Sequence, residues 1–161
     1  MLAADEEGLL WSRRWRPASG WEEWSAGPAE VSGDFVAACG TDQRVYVAWR
    51  DRSGQLRLAR LNGNRWEGTA LIAKEASAAP RLAAAVNGRL YISYADGDGV
   101  IRLAEFLEER QEVSAQWNTE RAAPDFTLAA AGGAPWLLVW SPDEPVSAYR
   151  PATGKWQLLD P

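Results

Sequence analysis

RVYVAWRDRSGQLRLARLNGNRWEGTALI, residues 44–72, decides the fold. It holds three short runs rich in Val, Leu, Trp and Tyr: RVYVAWRD (44–51), QLRLARLNG (55–63) and NRWEGTALI (64–72). Apolar residues alternate with polar ones along each run, and Asp-Arg-Ser-Gly (51–54) and Asn-Gly-Asn (62–64) separate them, which is the pattern of strands joined by tight turns. DFVAACG (34–40) supplies a fourth run in front.

The pattern recurs. PRLAAAVNG (80–88), RLYISYAD (89–96), VIRLAEFL (100–107) and RQEVSAQW (110–117) repeat it, and so do DFTLAAAGG (125–133), WLLVWS (136–141), PVSAYRP (145–151) and GKWQLLD (154–160). Trp21, Trp66, Gln111 and Trp156 mark the beat, each 45 residues after the last. A fixed period of this size signals a solenoid, a propeller or an array. The turns repeat too: Asn87-Gly88 is a hairpin signal, and Asp96-Gly97-Asp98-Gly99 stands 45 residues after Asp51-Arg52-Ser53-Gly54. LAEFLEERQEV (103–113) has helical spacing when read alone, but its alignment with LARLNGNRWEG (58–68) makes it strand.

Small residues fill the first run of each repeat: Ala37-Ala38-Cys39, Ala83-Ala84-Ala85 and Ala129-Ala130-Ala131. Bulky aromatics occupy later runs. Innermost strands crowd an axis and outer strands fan apart, so the expected fold is an all-β propeller segment of four-stranded antiparallel blades. The expected division is one domain over 1–161, with a partial blade at 1–33 and full blades at 34–79, 80–123 and 124–161. LAAD (2–5), LLWSRRWRP (9–17) and GWEEWS (20–25) align with the end of run two and with runs three and four, so the first blade lacks a first run. Circular propellers close on themselves. Three completions are open: a homo-oligomer, an irregular four-bladed ring, or a propeller finished by another polypeptide. Completion by another chain is the reading adopted.

Composition narrows function. Ten Trp in 161 residues is several-fold above ordinary usage, and net charge is −5. No face is basic enough to neutralise phosphates, so no nucleic-acid partner is expected. The absence of histidine removes His-ligated metals and the His of hydrolase triads. Cys39 is the only cysteine, so it forms no intrachain disulfide, and its apolar neighbours predict a small buried residue. No apolar run approaches the length of a membrane span. MLAADEEGLL (1–10) has no basic leader region and is not a signal peptide as written.

The strings at 44–68 and 86–106 (VNGRLYISYADGDGVIRLAEF) resemble bacterial lectin-type and sialidase-type propeller repeats, and among these the fucose-binding propeller lectins. That resemblance implies ligand sites between blades, built from an Arg, a Glu and stacking Trp residues. Arg44 and Arg89 match the Arg, Trp66 and Trp156 match a stacking Trp, and Trp21 matches by period. The Glu positions hold Leu58 and Leu103.

Each candidate has a plainer role. The beat tryptophans pack between blades if they do not stack on a sugar, and packing is the preferred reading. The pairs Tyr46/Trp49, Tyr91/Tyr94 and Trp136/Trp140 are read as interblade filler. Arg44 and Arg89 either bind ligand or lie over an aromatic. Asp51, Asp96 and Asp98 belong in turns for backbone reasons, ahead of any calcium site. Asp5-Glu6-Glu7, Glu22-Glu23 and Glu108-Glu109 are sequence neighbours, which a strand points to opposite faces, so they do not make a glycosidase pair.

The expectation is a non-catalytic module that binds a glycan or a protein partner, with no cofactor and no metal. A structural or assembly subunit is the alternative, and a sialidase-type hydrolase the third. Compartment stays open: the chain as written fits cytoplasm, while lectin-like propellers are often secreted.

Overall fold

The computed structural model describes residues 1–110, 112–122, 125–152 and 155–159, with backbone alone at 120–122, 144 and 155. All regular structure among them is β. The first blade comprises β1 (Leu2–Ala4), β2 (Leu10–Ser12), β3 (Trp15–Arg16), β4 (Gly20–Trp21) and β5 (Ser25–Ala26). Strands β1, β2 and β5 form a three-stranded sheet, and the β3–β4 hairpin continues the β2–β5 pairing.

Three four-stranded antiparallel sheets follow, each in chain order. The second blade holds β6 (Val31–Cys39), β7 (Val45–Asp51), β8 (Leu56–Asn62) and β9 (Arg65–Ala73). The third holds β10 (Arg81–Ala85), β11 (Arg89–Ala95), β12 (Val100–Leu107) and β13 (Glu112–Ala122). The fourth holds β14 (Asp125–Ala131), β15 (Ala134–Ser141), β16 (Glu144–Ala152) and β17 (Lys155–Leu159). Residues 103–107 are strand, as their alignment required; Gln111, the weak mark of the beat, lies outside the described residues. The small-residue strands are the inner ones, with β10 lying against both β6 and β14. The arrangement is propeller-like.

Both faces of a middle sheet are buried, because alternate residues point to opposite neighbours. Three apolar clusters result, one per seam. Leu10 meets Val31, Val47, Trp49 and Ala59 between the first and second blades. Tyr46, Ala48, Leu56 and Leu58 meet Leu90, Ile92, Tyr94 and Phe106 between the second and third. Tyr91, Ile101 and Leu103 meet Phe126, Leu137, Tyr149 and Trp156 between the third and fourth. Tyr46, Trp49, Tyr91 and Tyr94 are thus seam filler. Trp136 and Trp140, read the same way, are instead exposed, because they face away from the third blade on the last sheet.

Cys39 corrects its expectation: it is exposed. It faces the first blade, where among the described residues no strand pairs with the free side of β1 to cover it. Ala84, its counterpart one blade on, packs against an apolar cluster.

One turn is built three times. In the second blade, Asp51 Oδ1 accepts the N–H groups of Ser53 and Gln55, each at 2.9 Å, and the Ser53 hydroxyl at 2.6 Å; Oδ2 accepts Arg57 Nε at 2.5 Å. In the third, Asp96 accepts the N–H groups of Asp98 and Val100 and Arg102 Nε. In the first, Asp5 accepts those of Glu7 and Leu9 and the Trp11 indole. Gly8, Gly54 and Gly99 close these turns at φ of 79°, 83° and 77°, a backbone region that glycine adopts without strain. The carboxylates fix backbone, as turn chemistry predicted. Among the described residues no group of His, Cys, Asp and Glu is arranged to hold a metal ion.

Trp66 explains Gly27. A Cβ on Gly27 would stand 2.4 Å from the Trp66 indole. Gly27→Ala therefore forces the ring or the linker to move, and we expect a loss of roughly 1–3 kcal/mol in chemical denaturation.

Candidate functional site

Strand alternation separates the sequence candidates. Residues one repeat apart occupy the same place on successive blades, and Arg44 and Arg89 stand two residues before Tyr46 and Tyr91, so both face the following blade. Trp66 and Trp156 face the preceding one. Arg44 and Trp66, close in the same blade, therefore lie on opposite faces of one sheet. Arg89 and Trp156 come from adjacent blades and line one seam.

At the rim of that third seam, Arg89 Nη1 donates to Glu105 Oε2 at 3.0 Å, and Ser114 Oγ donates to Glu105 Oε1 at 2.6 Å. Register explains the set: Tyr91 pairs with Glu105 across β11–β12, and Glu105 pairs with Ala115, beside Ser114, across β12–β13. Glu105 is buried while the Arg89 side chain is 46% exposed, so the guanidinium is anchored at one edge and open at the other. The Glu105 charge, then the Tyr91 hydroxyl, raises the Arg89 pKa. Burial, then the Glu105 charge, raises that of Tyr91. Tyr91 and Asn87 both donate to Gly133 O across the seam, at 3.1 Å each.

The second seam carries a variant. Its cleft, about 210 Å³, is lined by Tyr46, Arg60, Glu67, Gly68, Thr69 and Phe106 among others. Tyr46 and Phe106 meet edge-to-face at 6.5 Å between centroids. Arg60 Nη2 lies 2.8 Å from Glu67 Oε2, with Arg44 Nε at 4.0 Å. Hydrogen bonding from Asn62 is the largest effect lowering the Glu67 pKa, helped by the Arg60 and Arg44 charges against desolvation. Arg44 also pairs with Asp42, which accepts the Tyr46 hydroxyl. Arg60 is one repeat before Glu105, so the charge at this place inverts between seams while an Arg–Glu pair survives in both.

The tryptophan candidates take different places. Trp66 and Trp156 lie in seams, and their indole N–H groups find no acceptor among the described residues. Trp21 is exposed, with the Arg13 guanidinium 4.5 Å from its ring centre. Leu58 and Leu103 are core residues; Arg44 has the carboxylates of Asp42 and, farther off, Glu67 beside it, and Arg89 has that of Glu105. Sequence reading missed both glutamates; only strand register shows them, because Glu105 lies one strand across from Arg89 and Glu67 two strands across from Arg44. Of the acidic pairs, Asp5 closes a turn, Glu22 binds Arg16 and Asn64, and Glu108 accepts the Thr41 hydroxyl at 3.1 Å across the second seam.

No protein-family model matches the sequence, and no curated protein matches it. Solved structures match the fold. AofleA from Arthrobotrys oligospora superposes with a TM-score of 0.63 at 10% identity, over 97% of this chain and 50% of that one. The SapL1 lectin, in complex with alpha methyl fucoside, superposes with a TM-score of 0.63 at 15% identity, over 98% of this chain and 57% of that one. At these identities the likeness is one of fold: the chain is an all-β array of propeller-like blades spanning about half the length of the structures it matches.

Proposed function

We propose that the chain is a non-catalytic carbohydrate-binding module of the lectin type, taking sugars at the rims of its blade seams. The Arg89–Glu105 pair beside Tyr91 carries this reading. A sugar offers vicinal hydroxyls and an apolar C–H face. A guanidinium held by a buried carboxylate keeps donors free for hydroxyl oxygens at little ordering cost. The sugar in the SapL1 complex agrees with that chemistry. Among the acids that a glycosidase reading would recruit, Asp5, Glu22 and Glu108 are committed to structural bonds.

A glycan array tests the proposal. Hits with the native chain that weaken roughly 10- to 100-fold in Arg89→Ala and Glu105→Gln are expected, the size of one or two charge-assisted hydrogen bonds. An array with no hits for a folded native chain overturns it, and so does turnover of a fluorogenic glycoside abolished by one carboxylate change.

A further inference from the structure

The two outermost faces of this row of sheets are built as seam faces, yet among the described residues nothing covers them. On the last sheet, Trp136 stands one repeat after Tyr91 and two after Tyr46; Val146 stands likewise after Ile101 and Leu56. Those four counterparts are buried in seams, whereas Trp136 and Val146 are 36% and 65% exposed. The first sheet shows the reverse side. Trp15 pairs with Trp21 as Leu61 pairs with Trp66 one blade on. Leu61 is buried and Trp66 packs in its seam, while Trp15 and Trp21 are 53% and 48% exposed. The Arg13 guanidinium sits against Trp21 and Trp24, 4.5 and 4.8 Å from their ring centres. Its Nε is buried and finds no acceptor among the described residues. Apolar side chains gathered at matching register are unlike singly scattered surface hydrophobics.

We infer that these faces bind each other between two copies of the chain: the last sheet of each copy packs on the first sheet of the other. Every seam inside the chain joins the same two half-faces, one of the Tyr46 and Leu56 kind and one of the kind formed by Leu61 and Phe106. The uncovered faces are one of each, so the intermolecular contact continues an interface already made three times. Two copies bring six four-stranded blades and two first blades, each of a three-stranded sheet and the β3–β4 hairpin, eight blades in all. Eight is the upper end of the usual range for closed propellers, and three copies exceed it. The contact is head-to-tail and closes after two steps. Each new seam also sets Trp136 and Arg150, the counterparts of Tyr91 and Glu105, opposite the partner, so a further rim cleft exists only in the assembly.

Sedimentation velocity on the ligand-free chain at tens of micromolar tests this, independently of any sugar. The expected species has twice the 17.7 kDa chain mass. Val146→Glu and Trp15→Glu, both at exposed positions, are each expected to sediment as monomers with an unchanged far-ultraviolet spectrum. Mixed one to one they retain one intact pair of faces and are expected to recover a dimer. A native monomer, a ring of three or more copies, a dimer indifferent to both substitutions, or a mixture that stays monomeric would overturn the inference.

Discussion

Phe106→Ala is expected to lower the unfolding free energy by about 3–5 kcal/mol, the usual cost of emptying an aromatic site in a packed interior. Phe106 is almost fully buried on β12, in the seam between the second and third blades. Its ring meets Tyr46 edge-to-face, an arrangement worth about 0.5–1.5 kcal/mol beyond buried area. Tyr46 is itself tied by its hydroxyl to Asp42, so it is poorly placed to collapse into the void. Phe106 also lines the 210 Å³ cleft, so the substitution opens that cleft inward. Urea unfolding followed by tryptophan fluorescence reads the effect. A loss under 1 kcal/mol would mean that this seam is not a load on stability, and the one-core-per-seam description would fail.

Asp51→Ala is the second large effect, at roughly 3 kcal/mol, because it strips acceptors from two backbone N–H groups, a hydroxyl and a guanidinium at a buried turn. Asp51→Asn separates charge from geometry. Burial pushes the Asp51 carboxyl up; hydrogen bonds from Ser53, Arg57 and Gln55 outweigh it and bring the pKa from 3.8 to about 2. A carboxyl depressed in the folded state contributes stability above its unfolded pKa and loses it as pH falls through the folded one. The contribution, on the order of 2 kcal/mol, is thus whole above pH 4 and fades toward pH 2. Asp96 is lowered too, by Arg102 and backbone N–H groups against its desolvation. Native chain and Asp51→Asn should therefore differ in denaturation midpoint at pH 7 and converge toward pH 2. A difference that grows on acidification would contradict the turn's electrostatics.

Most of the fold was legible because two periods coincide. Alternation along 44–51 and 89–96 identifies strands, and the 45-residue spacing stacks them into like sheets. The repeated Asp-to-Gly turns were readable for the same reason: a carboxylate and a glycine at fixed offsets have a backbone purpose. The candidate site was less legible. Arg44 and Arg89 stand out by period, but Glu105 occupies the position that Arg60 holds one blade earlier, so the repeat conceals their shared part in an Arg–Glu pair. Trp66 and Trp156 share the beat with Trp21, yet only the neighbour decides exposure: the first two are covered by an adjacent blade, and Trp21 faces none. Cys39 fails on the same ground, since its apolar neighbours in sequence say nothing of what stands opposite it across the seam.

The most direct measurement is an amide-shift titration of the isotope-labelled chain with the monosaccharide that scores highest on the array. Saturable shifts centred on Arg89, Tyr91, Glu105 and Ser114, and absent in Arg89→Ala, are predicted for binding at a blade-seam rim. Shifts confined to the Asp51 and Asp96 turns, or identical shifts in Arg89→Ala, would contradict it.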